Sequence, residues 1–372
     1  MRSRPERGRP AAAVGAVIVV LVAAGVVAWG VATRRDEPAS TAGAVVEQVL
    51  TTLPLQLQPP ATAVDLPTDR GVGTGALIYH PKTDPGDLDP TGKNFEQHDI
   101  YLVTVSGEQF RIGRTPPNVG PLNLSLSPDG RWLATKRDGR WRVRDLSGTT
   151  EHEVMIGYEL SVWSTDARSV LLVKPDEDSR DYAAMALPDG EVRPLGVRTS
   201  GVAWEVAFID GRELAVYEWQ MLGGTSASSE LTIKLTDVVT LVTRTLTLGG
   251  QTPSGRVPDV PVFGWHAGGS PTAIWAQVNL SDPRSTGTST GLQQALLGVD
   301  VTTGAATTRI EMTTIAGQTA EWFLGVVAEG VVLQRTTTTN TELVVVDPHN
   351  GTRRVVTTFP GLVDPLVPGA QA

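Results

Sequence analysis

The sequence predicts an all-β domain, a β-propeller of about six four-stranded blades, preceded by one N-terminal transmembrane helix. Two observations predict the propeller. From residue 61 onwards, short apolar or alternating segments are broken by Gly, Pro, Asp and Asn, and turn signals recur roughly every 41 to 65 residues. A third observation, a long charge-free segment near the N-terminus, predicts the helix.

The charge-free segment runs for 22 residues from Ala11 to Ala32, long enough to span a bilayer at about 1.5 Å per residue. Four arginines precede it, and basic residues favour the cytoplasmic side of a membrane. We therefore expect the N-terminus inside the cell and the rest of the chain outside. The alternative is a signal peptide cleaved at the small residues Gly30 to Ala32, which would give a secreted protein.

These features divide the chain into five expected parts. They are a basic cytoplasmic tail (1–10), a signal anchor (11–32), a stalk or linker (33–60), the extracytoplasmic propeller (61–360) and a C-terminal tail (361–372). The stalk is inferred from prolines that stand among Ala, Thr and Gln.

The composition excludes several functions. The chain contains no cysteine, so disulfides, thiolate zinc sites and a cysteine nucleophile are excluded. The net charge is −9, and residues 1–35 carry six Arg against one Glu, so the remaining chain has a net charge of −14. No nucleic-acid partner is expected, because such binding needs a basic surface that displaces counterions from phosphates. Arginine outnumbers lysine 26 to 5, a bias typical of high-GC genomes such as those of actinobacteria.

The clearest repeat unit lies between Leu124 and Ile156, where four apolar segments are joined by three turn signals. Its defining residues are Ser127, Pro128, Asp129, Gly130 and Trp132 in the first turn, and Asp145 and Gly148 near the last. This unit resembles a repeat of the TolB-like β-propellers, which are WD-repeat-like. Degraded copies begin near Val162, Ile209 and Ala328, so the resemblance covers about residues 61–360 and implies a propeller.

The number of blades follows from the last hairpin turn of each unit. We place these turns at Ser106–Gly107, Ser147–Gly148, Asp189–Gly190, near Val238–Val239, Thr303–Gly304 and Asn350–Gly351. Six turns predict six blades, and closing them into a ring buries the hydrophobic face of each one. An array of β-sandwiches is the alternative. The tryptophans expected to pack between inner strands are Trp163, Trp204, Trp265 and Trp322.

The longest loops are expected on one face of the propeller. In a blade with strands A to D, the B–C connections lie on the face opposite the A–B and C–D turns. The long B–C segments are Pro81–Asp99, Pro175–Asp181, Leu222–Ser229 and Asn279–Gln293. Variable loops on a rigid scaffold tend to carry binding residues, so this face and the channel mouth are the predicted working surface. Neutral drift is the alternative explanation, because long surface loops cost little stability.

Two of these loops are acidic and supply the candidate ligand-binding residues. They are Asp84, Asp87, Asp89, His98 and Asp99 in the first loop, and Asp176, Asp178 and Asp181 in the second. The segment from Asp87 matches the opening of an EF-hand loop, but its twelfth position is His98 instead of Glu, so no metal is expected. No other cofactor and no catalytic residue are predicted. Gly287–Gly291 matches the nucleophile-elbow pattern but lies in a Ser- and Thr-rich loop without the strand and helix that the motif needs.

Together these features predict a membrane-tethered extracytoplasmic propeller that binds a protein or cell-envelope ligand through its B–C face, with no catalysis and a monomeric ectodomain. Two alternatives stay open. One is a propeller-fold hydrolase or lyase acting on envelope glycan or peptide, for which paired carboxylates at the channel mouth would be the signature. The other is a sensor or spacer domain of a signalling operon.

Overall fold

The computed structural model describes residue 50 and residues 53–82, 97–115, 123–176, 179–200, 206–221, 229–248, 258–266, 273–280, 293–315, 318–319 and 321–370. They form six four-stranded antiparallel sheets, the blades of a β-propeller, and one two-stranded hairpin. All of them belong to a single compact unit, Glu47–Ala372. The all-β class and the six blades that the sequence predicts are confirmed.

The predicted membrane anchor at residues 11–32 lies outside the described residues. Within the part of the chain that is described, no helix is long and apolar enough to cross a membrane. The anchor therefore stays a prediction from the sequence.

The blades follow one another along the chain. Blade 1 takes β1 (Gly75–Pro81), β2 (Asp99–Thr104) and β3 (Gln109–Arg114) as its strands B, C and D. Blade 2 consists of β4 (Leu124–Leu126), β5 (Trp132–Arg137), β6 (Arg140–Asp145) and β7 (Glu151–Glu153). Blade 3 consists of β8 (Glu159–Trp163), β9 (Ser169–Pro175), β10 (Ser179–Ala186) and β11 (Val192–Ser200).

Blade 4 consists of β12 (Val206–Ile209), β13 (Glu213–Met221), β14 (Ser229–Asp237) and β15 (Thr243–Leu248). Blade 5 consists of β16 (Pro258–His266), β17 (Ala273–Leu280), β18 (Gln293–Asp300) and β19 (Ala306–Glu311). The hairpin of β20 (Thr314–Ile315) and β21 (Gln318–Thr319) precedes blade 6, which consists of β22 (Glu321–Val327), β23 (Gly330–Thr336), β24 (Asn340–Val346) and β25 (Arg353–Pro360). The last strand, β26 (Val363–Leu366), is strand A of blade 1.

A hydrogen-bonded Ser–Asp pair shapes the A–B turn of the consensus repeat. The Ser127 hydroxyl donates to Asp129 Oδ1 at 2.5 Å and accepts from the Trp132 amide at 2.8 Å. Blade 3 repeats this arrangement, with Ser164 donating to Asp166 at 2.6 Å. The degraded copy predicted from the sequence therefore folds into the same turn as the consensus copy.

The same turn needs a left-handed backbone at its fourth position. Gly130 has a φ of +70°, and a Cβ built there would lie 2.1 Å from the carbonyl oxygen of Gly75, so no side chain fits. Blade 3 has Ala167 at the matching position with a φ of +57°. The retained Ser–Asp hydrogen bonds hold this turn even where the glycine has been replaced.

An arginine–aspartate pair ties the A–B turn to the end of strand C. Arg131 donates to the buried Asp145 at 2.6 Å, and Arg212 donates to Asp237 at 2.8 Å in blade 4. Burial raises the pKa of Asp145, but hydrogen bonds from Arg131 and Ser147 outweigh burial and hold that pKa below its usual value. Both blades therefore use an ionised aspartate to join their two turns.

The ring closes through the C-terminal strand. In β26, Asp364 pairs with His80 and Leu366 pairs with Ile78, so the end of the chain supplies the innermost strand of the first blade. Val363, Leu366 and Val367 are buried in the core shared by blades 1 and 6. Residues 361–372 were expected to form a C-terminal tail, but residues 363–366 form β26. This strand pairs with the inner edge of β1, which would otherwise have no hydrogen-bonding partner.

The segment that precedes β1 also packs against the propeller. Leu53 and Leu57 are buried, and the Leu57 amide donates to the Thr358 carbonyl of β25 at 3.0 Å. Further on, the Arg111 amide of β3 donates to the Val64 carbonyl at 2.7 Å. Residues 53–66, partly expected to be a stalk, therefore cover the outer edges of blades 6 and 1.

The predicted tryptophans have different outcomes. Trp163 is buried together with Trp132 and Trp141 between blades 2 and 3, and its indole N–H donates to Ser125 Oγ at 2.6 Å. Trp322 lies in β22 but is 42% exposed, so the prediction that it packs in the core is wrong. Trp265 lies in β16, while its side chain and the whole of Trp204 fall outside the described residues.

Candidate functional site

The two faces of the propeller carry different connections. The tight-turn face is formed by the A–B and C–D turns. Between the strands that the structure describes, the longest connections on this face have six residues, for example 347–352. On the loop face, formed by the B–C and inter-blade connections, the long B–C segments are 82–98, 222–228 and 281–292. All six predicted C–D turns fall between strands C and D, which confirms the assignment of the two faces.

One predicted loop is shorter than expected. Pro175 pairs with Arg180 across the hairpin of β9 and β10, so only residues 176–178 separate these strands. The Asp176 amide donates to the Ser179 carbonyl at 2.9 Å, which extends the hairpin beyond the Pro175–Arg180 pair.

The structure places three of the seven predicted ligand-binding acids. Asp84, Asp87, Asp89 and Asp178 lie outside the described residues. Asp99 begins β2 in blade 1, where it accepts from Arg114 Nε at 3.0 Å and lies 3.6 Å from Arg111 Nη1. This carboxylate is thus part of an ion-pair network at the base of its loop.

The acids of the second loop are also paired. Asp176 and Asp181 lie 3.3 Å and 3.4 Å from the Arg198 guanidinium of β11, and all three side chains are more than half exposed. They belong to blade 3, whereas Asp99 belongs to blade 1, with blade 2 between them. Among the acids that the structure describes, Asp99 is therefore not brought together with Asp176 and Asp181.

Two histidines lie where the first loop leaves and rejoins its blade. His80 is buried in β1, with Nδ1 2.8 Å from the Pro81 carbonyl oxygen, and the His98 amide donates to Thr115 Oγ1 at 2.9 Å. Burial lowers the pKa of His80, although the contact with the Pro81 carbonyl and nearby Asp364 act in the opposite direction. Among the described residues, no group of three or more His, Asp or Glu side chains could hold a metal ion.

Blade 6 contains a fully buried carboxylate, Glu321, at the start of β22. It accepts hydrogen bonds from Arg353 at 2.5 Å, the Thr313 amide at 2.7 Å and Arg335 at 3.0 Å. Burial raises its pKa, but the hydrogen bonds from Arg353 and the Thr313 amide outweigh burial, so the pKa lies below its usual value. A general acid needs a pKa raised towards the working pH, so this geometry indicates a structural ion pair.

A groove that the sequence analysis missed lies between blades 1 and 2. It has a volume of about 410 Å³ and is lined by residues of β3, β5, β6 and the 65–68 segment. Its arginines are Arg111, Arg114, Arg137, Arg142 and Arg144. Part of this signal is local, because Arg142 and Arg144 alternate along one strand and so share a face.

No protein-family model matches the sequence, and no curated relative matches it either. Solved propellers are similar in structure. TolB from Acinetobacter baumannii is 15% identical, with a TM-score of 0.45, over 78% of this chain and 66% of that chain. The β-propeller domain of the trilobed protease from Pyrococcus furiosus is 12% identical, with a TM-score of 0.45, over 80% of this chain and 84% of that chain. An oligogalacturonate lyase in complex with manganese is 13% identical, with a TM-score of 0.41, over 80% and 85%.

These identities and TM-scores carry no argument about ligands or site residues. This chain spans about two thirds of the TolB chain that it resembles. The propeller that the TolB-like repeat implies is confirmed by the chain's own sheets, so the protein is a six-bladed, all-β propeller whose function has to be argued from its own residues.

Proposed function

We propose that this protein is a membrane-tethered extracytoplasmic binding module that recognises a protein or another cell-envelope component through its loop face, without catalysing a reaction. The observation that carries the proposal is the asymmetry of the two faces. Strands B and C are joined by residues 82–98, 222–228 and 281–292 in blades 1, 4 and 5, while the turns on the opposite face stay short. A rigid ring that concentrates its long connections on one side is suited to binding.

The ion pairs at the loop bases give the proposed surface a fixed frame. Arg114 holds Asp99 where the first loop rejoins blade 1, and Arg198 holds Asp176 and Asp181 in blade 3. Exposed pairs of this kind contribute only about 0 to 1 kcal/mol each to stability, so we assign them the role of positioning the loop ends.

Capture from intact cells tests the binding proposal. The tagged full-length chain is crosslinked in the cells that produce it and compared with a variant in which residues 83–96 and 281–292 are replaced by short glycine-containing links. The matched control carries Val239→Ser and Val242→Ser, two exposed changes in a C–D turn on the opposite face. Thermal unfolding establishes that all three chains are folded.

The proposal expects one specific envelope component to be captured by the wild type and the control but not by the loop-shortened chain. Equal capture by the folded loop-shortened chain would contradict it. Loss of capture only in the Val239 and Val242 variant would assign binding to the tight-turn face.

The tether has a separate test in cell fractionation. The proposal expects the chain in the membrane fraction, with its C-terminal domain digested by protease added to intact, wall-stripped cells. Release into the medium of a chain shortened by about 30 residues would instead support the cleaved signal peptide.

A further inference from the structure

The groove between blades 1 and 2 has the dimensions of a small-ligand site. Its walls are strand D of blade 1, strands B, C and D of blade 2 and the lead-in segment at Asp65–Thr68, and its volume is about 410 Å³. Pockets for small ligands typically have volumes of about 300 to 1,000 Å³. The groove is therefore large enough for a small organic anion.

The charge of the groove is opposite to that of the protein. Five arginines line it against two acids, Asp65 and Glu151, whereas the whole chain has a net charge of −9. Like charges that share a cleft repel one another, and a cleft of one sign concentrates counter-ions of the other sign.

The acids neutralise only part of the arginine cluster. Arg111 pairs with Asp65 at 2.6 Å, and Arg114 pairs with Asp99 at 3.0 Å. These contacts lie on the blade 1 side of the groove. Excess positive charge is therefore concentrated on the blade 2 side.

The blade 2 arginines are held mainly by neutral groups. Arg144 donates to the carbonyl oxygens of Pro67 and Arg70, and Arg137 donates to the Ile112 carbonyl at 3.3 Å. Among the described residues, neither arginine forms an ion pair within 4.0 Å. Backbone carbonyls fix the position of a guanidinium but do not cancel its charge.

Arg142 adds a hydrogen-bond donor that is not used. Its Nη1 lies 3.4 Å from Glu151, but its Nε is buried and has no hydrogen-bond partner within the described part of the chain. A buried donor without a partner is unfavourable, so the protein alone does not satisfy the Arg142 guanidinium.

We propose that this inter-blade groove binds a polyvalent oxyanion, a small molecule or terminal group that carries phosphoryl or carboxylate oxygens. Arg137 and Arg142 provide guanidinium donors that match such oxygens, and Arg144, whose Nη2 already donates to two carbonyls, adds positive charge. Because three guanidinium groups share the site, an anion with several charges fits better than a monovalent one. This inference is independent of the loop-face proposal, and failure of one leaves the other standing.

Calorimetry on the purified full-length chain tests the groove with two probes, pyrophosphate for phosphoryl groups and citrate for carboxylates, and with acetate as the monovalent control. The charge-removing variants are Arg142→Gln and Arg137→Gln. Arg193→Gln is the matched control, because this exposed arginine lies in β11 of blade 3, outside the groove. Thermal unfolding with and without each probe reports binding independently of heat.

We expect pyrophosphate, citrate or both to bind more tightly than acetate, with affinity falling about tenfold or more in each groove variant and unchanged in Arg193→Gln. Which probe binds decides the source chemistry. Glu151→Gln removes an acid from the same groove and is expected to tighten binding. Its predicted effect on affinity is therefore opposite to that of the arginine variants. The proposal is overturned if neither probe binds at millimolar concentration, or if the groove variants bind as well as the wild type.

Discussion

Removing residues 361–372 should open the ring. Without β26, the inner edge of β1 loses its partner, and Val363, Leu366 and Val367 no longer bury their side chains, which are at most 6% exposed. Burying one such side chain stabilises a protein by about 1.5 to 3 kcal/mol, so the three together contribute roughly 5 to 9 kcal/mol. That range is comparable with the whole stability of a typical domain, about 5 to 15 kcal/mol.

Urea unfolding followed by tryptophan fluorescence measures this effect. The truncated chain is expected to unfold at a much lower urea concentration or to be unfolded in buffer. If truncation prevents folding, Leu366→Ala gives a graded version with an expected loss of about 2 to 5 kcal/mol. The control is Leu55→Ala, since Leu55 is 81% exposed and should change stability by no more than about 0.5 kcal/mol. An unchanged midpoint in the truncated chain, or equal effects of the two alanine variants, would refute the closure.

Three further predictions concern stability. Gly130→Ala should lower the free energy of unfolding by more than about 2 kcal/mol, because backbone strain and a clash with a carbonyl oxygen add. Gly139→Ala, with φ +75° and open space around the new Cβ, should lower it by only about 1 to 2 kcal/mol. Equal losses in urea unfolding would exclude the clash. Glu321→Gln should destabilise by about 3 to 5 kcal/mol, because Arg353 loses its carboxylate partner and Arg335 keeps only Glu342. A neutral effect would show that the buried carboxylate does not stabilise the fold. His80 has a lowered pKa in the folded state, so the unfolded state binds protons first as pH falls below about 6.5 and stability declines. His80→Gln should flatten this decline in a pH series, and an identical slope would remove the histidine from the account.

Local turn signals explain why much of the fold was predictable. Ser127 to Trp132 and the C–D glycines determine hairpins within a few residues, so blade count and the position of long connections follow from the sequence. The degraded turn at Ser164 to Ser169 kept the serine and aspartate that make the hydrogen bonds. Its structure was therefore predictable without the glycine.

Contacts that are distant in sequence were not predictable. β26 is four residues long, contains Pro365, and pairs with a strand near the other end of the chain, so no local pattern marks it. The groove arginines come from two blades and are completed by the 65–68 segment. The ion pairs of Asp176 and Asp181 were not predictable either, because their partner Arg198 lies on a different strand, β11.

The most direct test of the central claim, that the loop face is the binding surface, is site-specific photo-crosslinking in intact cells. A photoreactive amino acid is placed on the loop face at Lys82 or Thr338, and on the tight-turn face at Val239 or Val242, all of which are exposed. The account predicts a discrete crosslinked partner from the loop-face positions and none from the tight-turn positions. Crosslinks to one partner from Val239 or Val242, with none from Lys82 or Thr338, would contradict it.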